Sequence, residues 1–399
     1  MQRKESWNPL KGTRIVDFTF QGAGPHASML LAFLGAEVIK VESETRPDPT
    51  RGRENRPYTR SLLFEDVNLS KRSLRLNMKH PEAVAVARRL ILASDAVMDN
   101  FRPGVMERWG LSPSSLLEEK PSLVVASLSA AGSGGPLSHL PGYAGIFNAM
   151  GGLGELTGYQ GGPPTELRTS VDMRVGAVFA AAVVLGLLRA RATGRGCRID
   201  LSAIEAVSML IGEYLALFLA RGVVPQRIGN RDEEMAPHGV YPCKGGGWLA
   251  LAVRGDEEWR RLCRLMGRDD LAGRQDLAHV EGRLRNQDWL DEEIGRWTAG
   301  HETGELFHRL QGAGIAAAPV LDAKQLVCDP HLVGRQVFYR TSVGGREGMT
   351  VGVPWVVDGE RPQPHPAPVL GGDTVQVLEE VLGLSQAEIA RLQESGALK

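Results

Sequence analysis

A chain of 399 residues is longer than a single core usually grows, which points to two lobes, one larger and one smaller. With 46 basic and 47 acidic residues the formal net charge is -1, so no general field draws nucleic acid or an anionic membrane. An anionic ligand would have to be held by local charge. The four cysteines, Cys197, Cys243, Cys263 and Cys328, stand far apart without a CxxC pair, which argues against a zinc knuckle or disulfide framework and suits a reducing cytoplasm.

The opening segment MQRKESWNPLKG has no apolar stretch before a cleavage site, so no secretory signal is expected. From Thr13 onward, β-branched runs alternate with helical stretches, the pattern of a parallel sheet covered by helices. RIVDFT (Arg14 to Thr19) reads as a buried strand, FQGAGP as a tight loop, HASMLLAFLG as a helix and AEVIKVE as the next strand, together one βαβ unit. Strands follow at Ser73 to Met78, at AVMDN and at Leu123 to Ser129, with a helix opened by Pro81 between the first two. At least five parallel strands are expected. The apolar run from Val175 to Leu188 lies between Arg174 and Arg189; it is too short for a bilayer span of about 20 residues and suits a buried core helix. That helix is expected from a cap at Asp172 to about Arg191, then a strand after Gly196, then one long helix, IEAVSMLIGEYLALFLARG, ending near Gly222. Farther on, APHGVYPCKGGGWLALAV reads as a hairpin, DEEWRRLCRLMG and NQDWLDEEIGRWTAG as helices, and SQAEIARLQESGAL as a helix with Ser385 and Glu388 at capping-box spacing.

Taken singly, the chemical motifs are weak. FQGAGP opens a helix after a strand and so offers free backbone N–H groups to an anion, but Gly22 and Gly24 lack the third glycine of a dinucleotide fingerprint. NFRPGVMERWG, with Arg102 and Arg108, sits where ligands bind at the carboxyl edge of an open sheet, yet taken alone it reads more readily as an ordinary turn with solvated arginines. Lys71, Arg72 and Lys79 in NLSKRSLRLNMK are possible phosphate partners or a solvated face. Asp172 before the apolar helix reads on spacing alone as a helix cap first, with a covalent nucleophile in a dry site as the less common alternative. The histidines form no metal pair and no GxSxG elbow occurs.

In order along the chain, PLKGTRIVDFT with AGP, GAEVIKVE, NLSKRSL, DNFRPGVMERWGL, TSVDMRVG with TGRGCRIDLS, and GIAAAPV (Gly314 to Val320) resemble the class III CoA-transferases of CaiB/BaiF type. This family also holds the α-methylacyl-CoA racemases. The resemblance spans nearly the whole chain. It implies a Rossmann-like large domain of residues 1–222 completed by 325–399, a smaller α+β domain of residues 223–324, and an interlocked homodimer. It implies that Asp172 attacks an acyl-CoA thioester and then carries CoA, with no metal or cofactor, coenzyme A entering as part of the substrate. Gln21, Gly22 and Ala23 would line the pantetheine, Asn100, Phe101 and Arg108 would hold the nucleotide end, Leu76 would pack near the adenine, and Lys71 and Arg102 would be further CoA-binding residues.

The expected partners are an acyl-CoA and a small organic acid, with no nucleic acid and no membrane. Compared with the formyl-CoA:oxalate branch, Ser43 replaces a CoA-binding arginine, Pro141 a lysine and Gly22 a glutamine, which argues against oxalate as the acceptor. LPGYAG places Tyr143 and Ala144 where the racemase branch has a His-Asp pair, so proton transfer lacks half its machinery. An acyl-CoA isomerase on the same scaffold and a silent CoA-binding subunit are the alternatives, and a NAD-dependent oxidoreductase ranks last.

Overall fold

The computed structural model describes residues 7–51, 59–167, 170–343 and 346–399. Residues 1–6 of the opening segment and Thr169 of TSVDMRVG lie outside the described residues. By internal contacts the chain forms two compact units, one of residues 1–154, 166–223 and 331–399, the other of residues 155–165 and 224–330.

The first unit is built on six parallel strands: β1 (Arg14–Asp17), β2 (Glu37–Glu42), β3 (Arg72–Arg75), β4 (Ala96–Asp99), β5 (Val124–Ser129) and β6 (Cys197–Ser202). Their order across the sheet is β3-β2-β1-β4-β5-β6. Parallel strands are covered on both faces, so their sequences are near-continuous apolar runs in which successive side chains feed opposite cores. Ile15, Val38, Met98 and Val124 face one core with Phe179 and Val183; Val16, Ile39, Val97 and Val125 face the other with Leu74 and Leu90. The first core is closed by α1 (Ala23–Phe33) and the helix Ser170–Thr193, whose Val171, Val175, Phe179, Val183 and Leu187 form a buried stripe. The second is closed by the helix Pro81–Leu92 and by the helices Thr374–Leu382 and Gln386–Glu394, which return from the end of the chain with Val377, Leu378, Ile389 and Leu392 buried. Ser385 and Glu388 form the capping box that their spacing suggests.

Two expectations need correction. The helix around the apolar run begins at Ser170, so Asp172 lies inside its first turn and is not its cap. The single long helix ending near Gly222 is two, Ala203–Met209 and Gly212–Arg221, bent by 68°. Ser208 Oγ donates back to the Ile204 carbonyl at 3.1 Å and to the Gly151 carbonyl at 3.2 Å, and Gly212 follows, a Ser/Gly combination that favours a sharp kink.

The second unit carries an antiparallel sheet of β7 (His238–Pro242), β8 (Trp248–Ala252) and β9 (Ala316–Pro319). β7 and β8 are the expected hairpin, with Gly245 and Gly246 at positive φ in its turn. The helices Asp256–Met266, Gln287–Thr298 and Thr303–Gly312 pack Trp259, Leu262, Leu290, Ile294, Leu306 and Leu310 against it.

Candidate active site

The strand order reverses between β1 and β4, and the loops leaving their carboxyl ends diverge there, which opens a crevice outside the sheet. A cavity of about 700 Å³ occupies that place. Its walls bring together Gln21, Gly22 and Ala23 from the first loop, Leu76 after β3, Asn100, Phe101, Arg102 and Arg108 after β4, and Asp172.

Asp172 is half-buried, and two glycines explain how close it stands to α1. A Cβ on Gly22 would lie 2.7 Å from Asp172 Oδ2, and one turn farther a Cβ on Gly176 would lie 2.5 Å from the Ala23 carbonyl. Only glycine at both positions lets the two helices meet at this distance. Burial, with the Glu166 charge acting in the same direction, raises the Asp172 pKa to about 6. At neutral pH the carboxylate is ionised but poorly hydrated.

The loop beside it is fixed from several sides. Phe20 N donates to Asn100 Oδ1 at 3.0 Å, and Asn100 Nδ2 returns a hydrogen bond to the Phe20 carbonyl at 2.8 Å. Gln21 N donates to Asp48 Oδ1 and Oδ2 at 3.3 and 3.2 Å. The rings of Phe18, Phe20, Phe101 and Trp109 form a cluster with centroids 5.3 to 6.5 Å apart. Arg46 stands over Phe20 at 6.0 Å, and with Lys79, Arg102 and Arg108 it makes the cavity wall basic.

Beneath the loop lies a buried ionic layer. Lys71 Nζ donates to Asp17 Oδ2 at 3.1 Å, to the Pro25 carbonyl at 2.9 Å and to Asn68 Oδ1 at 2.8 Å. Lys40 Nζ donates to the Thr19 carbonyl at 2.6 Å and pairs with Asp48 at 3.2 Å. Burial opposes the Asp17 charge, but Lys71, Lys40 and the hydroxyls of Ser28 and Thr19 outweigh it and hold its pKa below the ordinary value. Burial, with Lys40 acting in the same direction, lowers the Lys71 pKa to about 8.

Lys71 is thus a correction. Expected to bind CoA, it does not line the cavity: all three of its ammonium hydrogens are directed to buried acceptors, because Asp17 needs a counterion there. Ser43, the position of an expected departure, donates to the Lys399 carbonyl at 2.9 Å. The sequence reading missed Lys40, Asp48, Arg46 and Glu166. A signal existed for the first, since a lysine inside the apolar strand EVIKVE has to find a buried anion.

Against known proteins, the model of CoA-transferase family III matches residues 10–374. The chain belongs to CoA-transferase family III. It is similar to the succinyl-CoA–D-citramalate CoA-transferase of Chloroflexus aurantiacus, 31% identical with 96% of this chain and 97% of that protein covered. It is similar also to the formyl-CoA:oxalate CoA-transferase of Streptomyces avermitilis, 30% identical with 98% and 99% covered. Among solved structures, a CaiB/BaiF family protein from Brucella suis superposes with a TM-score of 0.85 at 26% identity, with 94% of this chain and 99% of that one covered. The enzyme is therefore a CoA-transferase, and its six-stranded parallel sheet and surrounding helices are the CaiB/BaiF fold.

Proposed function

We propose that this CoA-transferase works by covalent catalysis on Asp172, moving CoA from an acyl-CoA to a small carboxylic acid. The carrying observation is geometric: Asp172, half-buried with Gly22 packed against its carboxylate, shares one cavity with Arg46, Lys79, Arg102 and Arg108. An Asp172 oxygen attacks the thioester carbonyl; the carbon–sulfur bond breaks, leaving a mixed anhydride and CoA thiolate. The thiolate attacks the Asp172 carbonyl carbon, and the donor acid departs as a carboxylate. An acceptor carboxylate then attacks the aspartyl-CoA thioester, and the returning thiolate frees Asp172 and makes the new acyl-CoA. No water enters and no net proton moves, which is why shielding serves this chemistry. The first N–H groups of α1, next to Gly22, lack helical partners by position and would stabilise the developing oxyanions.

Arg46, Lys79, Arg102 and Arg108 are suited to the phosphates of CoA, and the Phe20–Phe101 face and Leu76 to its apolar parts. Relatives are named for succinyl-CoA with D-citramalate or L-malate and for acetyl- or formyl-CoA with oxalate. A short dicarboxylic or hydroxy acid is the acceptor we propose. The helix Gly212–Arg221 buries none of its residues within the chain, and its Leu215, Phe218 and Leu219 are exposed together with Leu185 and Leu188; these faces support association of two copies, and an interlocked homodimer is the form we propose.

The test is an exchange assay by mass spectrometry with succinyl-, acetyl- and formyl-CoA as donors and malate, citramalate, oxalate and monocarboxylic acids as acceptors. New acyl-CoA that needs a second acid is expected. Change within the acyl group without a second acid would instead mark an isomerase. Hydroxylamine added after the donor should derivatise Asp172, and label at any other residue moves the nucleophile.

A further inference from the structure

The turn from Thr19 to Gln21 is held by Asp17 at the end of its own strand and by side chains from β2 and from the loops after β2 and β4. Thr19 N donates to Asp17 Oδ1 at 2.9 Å, Phe20 uses both of its backbone polar groups on the Asn100 amide, Gln21 N donates to Asp48, and the Thr19 carbonyl accepts from Lys40. Gln21 has a φ of 71°, in the left-handed region, which is unfavourable for a residue with a Cβ. The strained residue immediately precedes Gly22, whose backbone stands against Asp172. Without its side-chain anchors the turn would relax toward negative φ and carry Gly22 away from the carboxylate.

We propose that Asn100 is a positioning residue for CoA transfer and not a CoA ligand: its amide locks the Phe20 peptide, and Asp48 secures the next one, so that the turn keeps its fixed contact with Asp172. The proposal rests on the reading of Asp172 as nucleophile. The chemistry of the side chain fits the role, since only a primary amide of this length matches a peptide N–H with its oxygen and a peptide carbonyl with its NH₂.

The experiment combines Asn100→Ala, Asn100→Asp and Asn100→Ala with Gln21→Gly. Asn100→Ala should lose about ten- to a hundredfold in turnover at saturating donor while its CoA dissociation constant, measured by calorimetry, stays within about twofold. Asn100→Asp keeps the acceptor for Phe20 N and loses the donor to the Phe20 carbonyl, so it should fall in between. Gln21→Gly removes the left-handed penalty and should recover about tenfold of the turnover in the Asn100→Ala background. A tenfold weaker CoA dissociation constant with unchanged saturated turnover would make Asn100 a ligand and overturn the proposal, as would the absence of recovery by Gln21→Gly. Hydroxylamine trapping separates the two readings. If the native enzyme is not labelled at Asp172, the nucleophile assignment fails; if the native enzyme and Asn100→Ala are labelled equally fast, only the positioning role fails.

Discussion

The floor and the wall of the cleft hold charge in opposite ways. Under the first loop, Asp17, Lys71, Lys40 and Asp48 form fully buried pairs. On the cavity wall, Arg46, Lys79, Arg102 and Arg108 bring positive charge to a place open to a ligand. A buried pair is costly to form and costlier to break, because removing one partner strands the other in a poor dielectric. A charge on an open wall is cheap to remove and acts on whatever anion arrives. The difference teaches a division of labour: the floor fixes the geometry in which Asp172 reacts, and the wall sets how strongly CoA is held.

The largest effect tests the group between them. Asp172→Asn should lower turnover by about 10⁴-fold while CoA affinity, read by calorimetry, changes little. The same substitution should stabilise the fold. The folded pKa of Asp172, about 6, lies above the ordinary value of 3.8, so its contribution to stability is fully present below about pH 4 and is lost as pH rises through about 6. Removing the charge should therefore gain on the order of 2 kcal/mol at pH 7 and nothing at pH 4, measured by urea unfolding. A destabilised Asp172→Asn at pH 7 would mean that the carboxylate is well solvated and that burial does not activate it.

Next comes the floor. Lys71→Met leaves Asp17 without its counterion and should cost about 3 to 5 kcal/mol, seen as a lower urea midpoint. Lys71→Met combined with Asp17→Asn should recover part of that loss. If Lys71 instead held a CoA phosphate, the variant would keep its stability and lose CoA affinity, and floor and wall would not differ as described.

The sheet was legible in the sequence because parallel strands are short apolar runs punctuated by Gly and Pro, as in RIVDFT-FQGAGP-HASMLLAFLG. The kink at Leu210 and Ile211 was not, since both segments beside it carry good helix formers and the break depends on Ser208 finding the Gly151 carbonyl. Most of the candidate site was readable only through the order of its motifs: a glycine turn, an NFRPG loop and an Asp before an apolar helix are each common, and nothing local says that they share one cavity. Asp48 was invisible for a related reason. Its segment, RPDPT, reads as a turn, and its role comes from Lys40 and Gln21 N, which the fold brings to it. Lys71 was misread because a surface cation and a buried counterion look alike in a short charged run.

The wall should respond more gently. Arg108→Ala is expected to weaken CoA binding by about tenfold, the loss of one charge-assisted hydrogen bond, with little change in turnover at saturation. The native enzyme's affinity should fall with added salt, and that of the variant should fall less steeply. An Arg108→Ala enzyme that loses turnover but not affinity would assign the wall a geometric role and erase the contrast with the floor.

The smallest expected effect is also the most local. If transfer requires the Asp172 carboxylate, kcat/KM at low pH should climb with an apparent pKa of about 6, and Glu166, whose charge adds to the shift after burial, should tune it. Glu166 is itself exposed, so solvent screens its share and the main lever is desolvation. Glu166→Gln should therefore move the rising limb of the profile to lower pH only slightly, leaving the plateau rate intact. A limb that moves all the way to the ordinary carboxylate range would reverse the ranking of the two causes, making a neighbouring charge rather than burial the reason that Asp172 is held partly protonated.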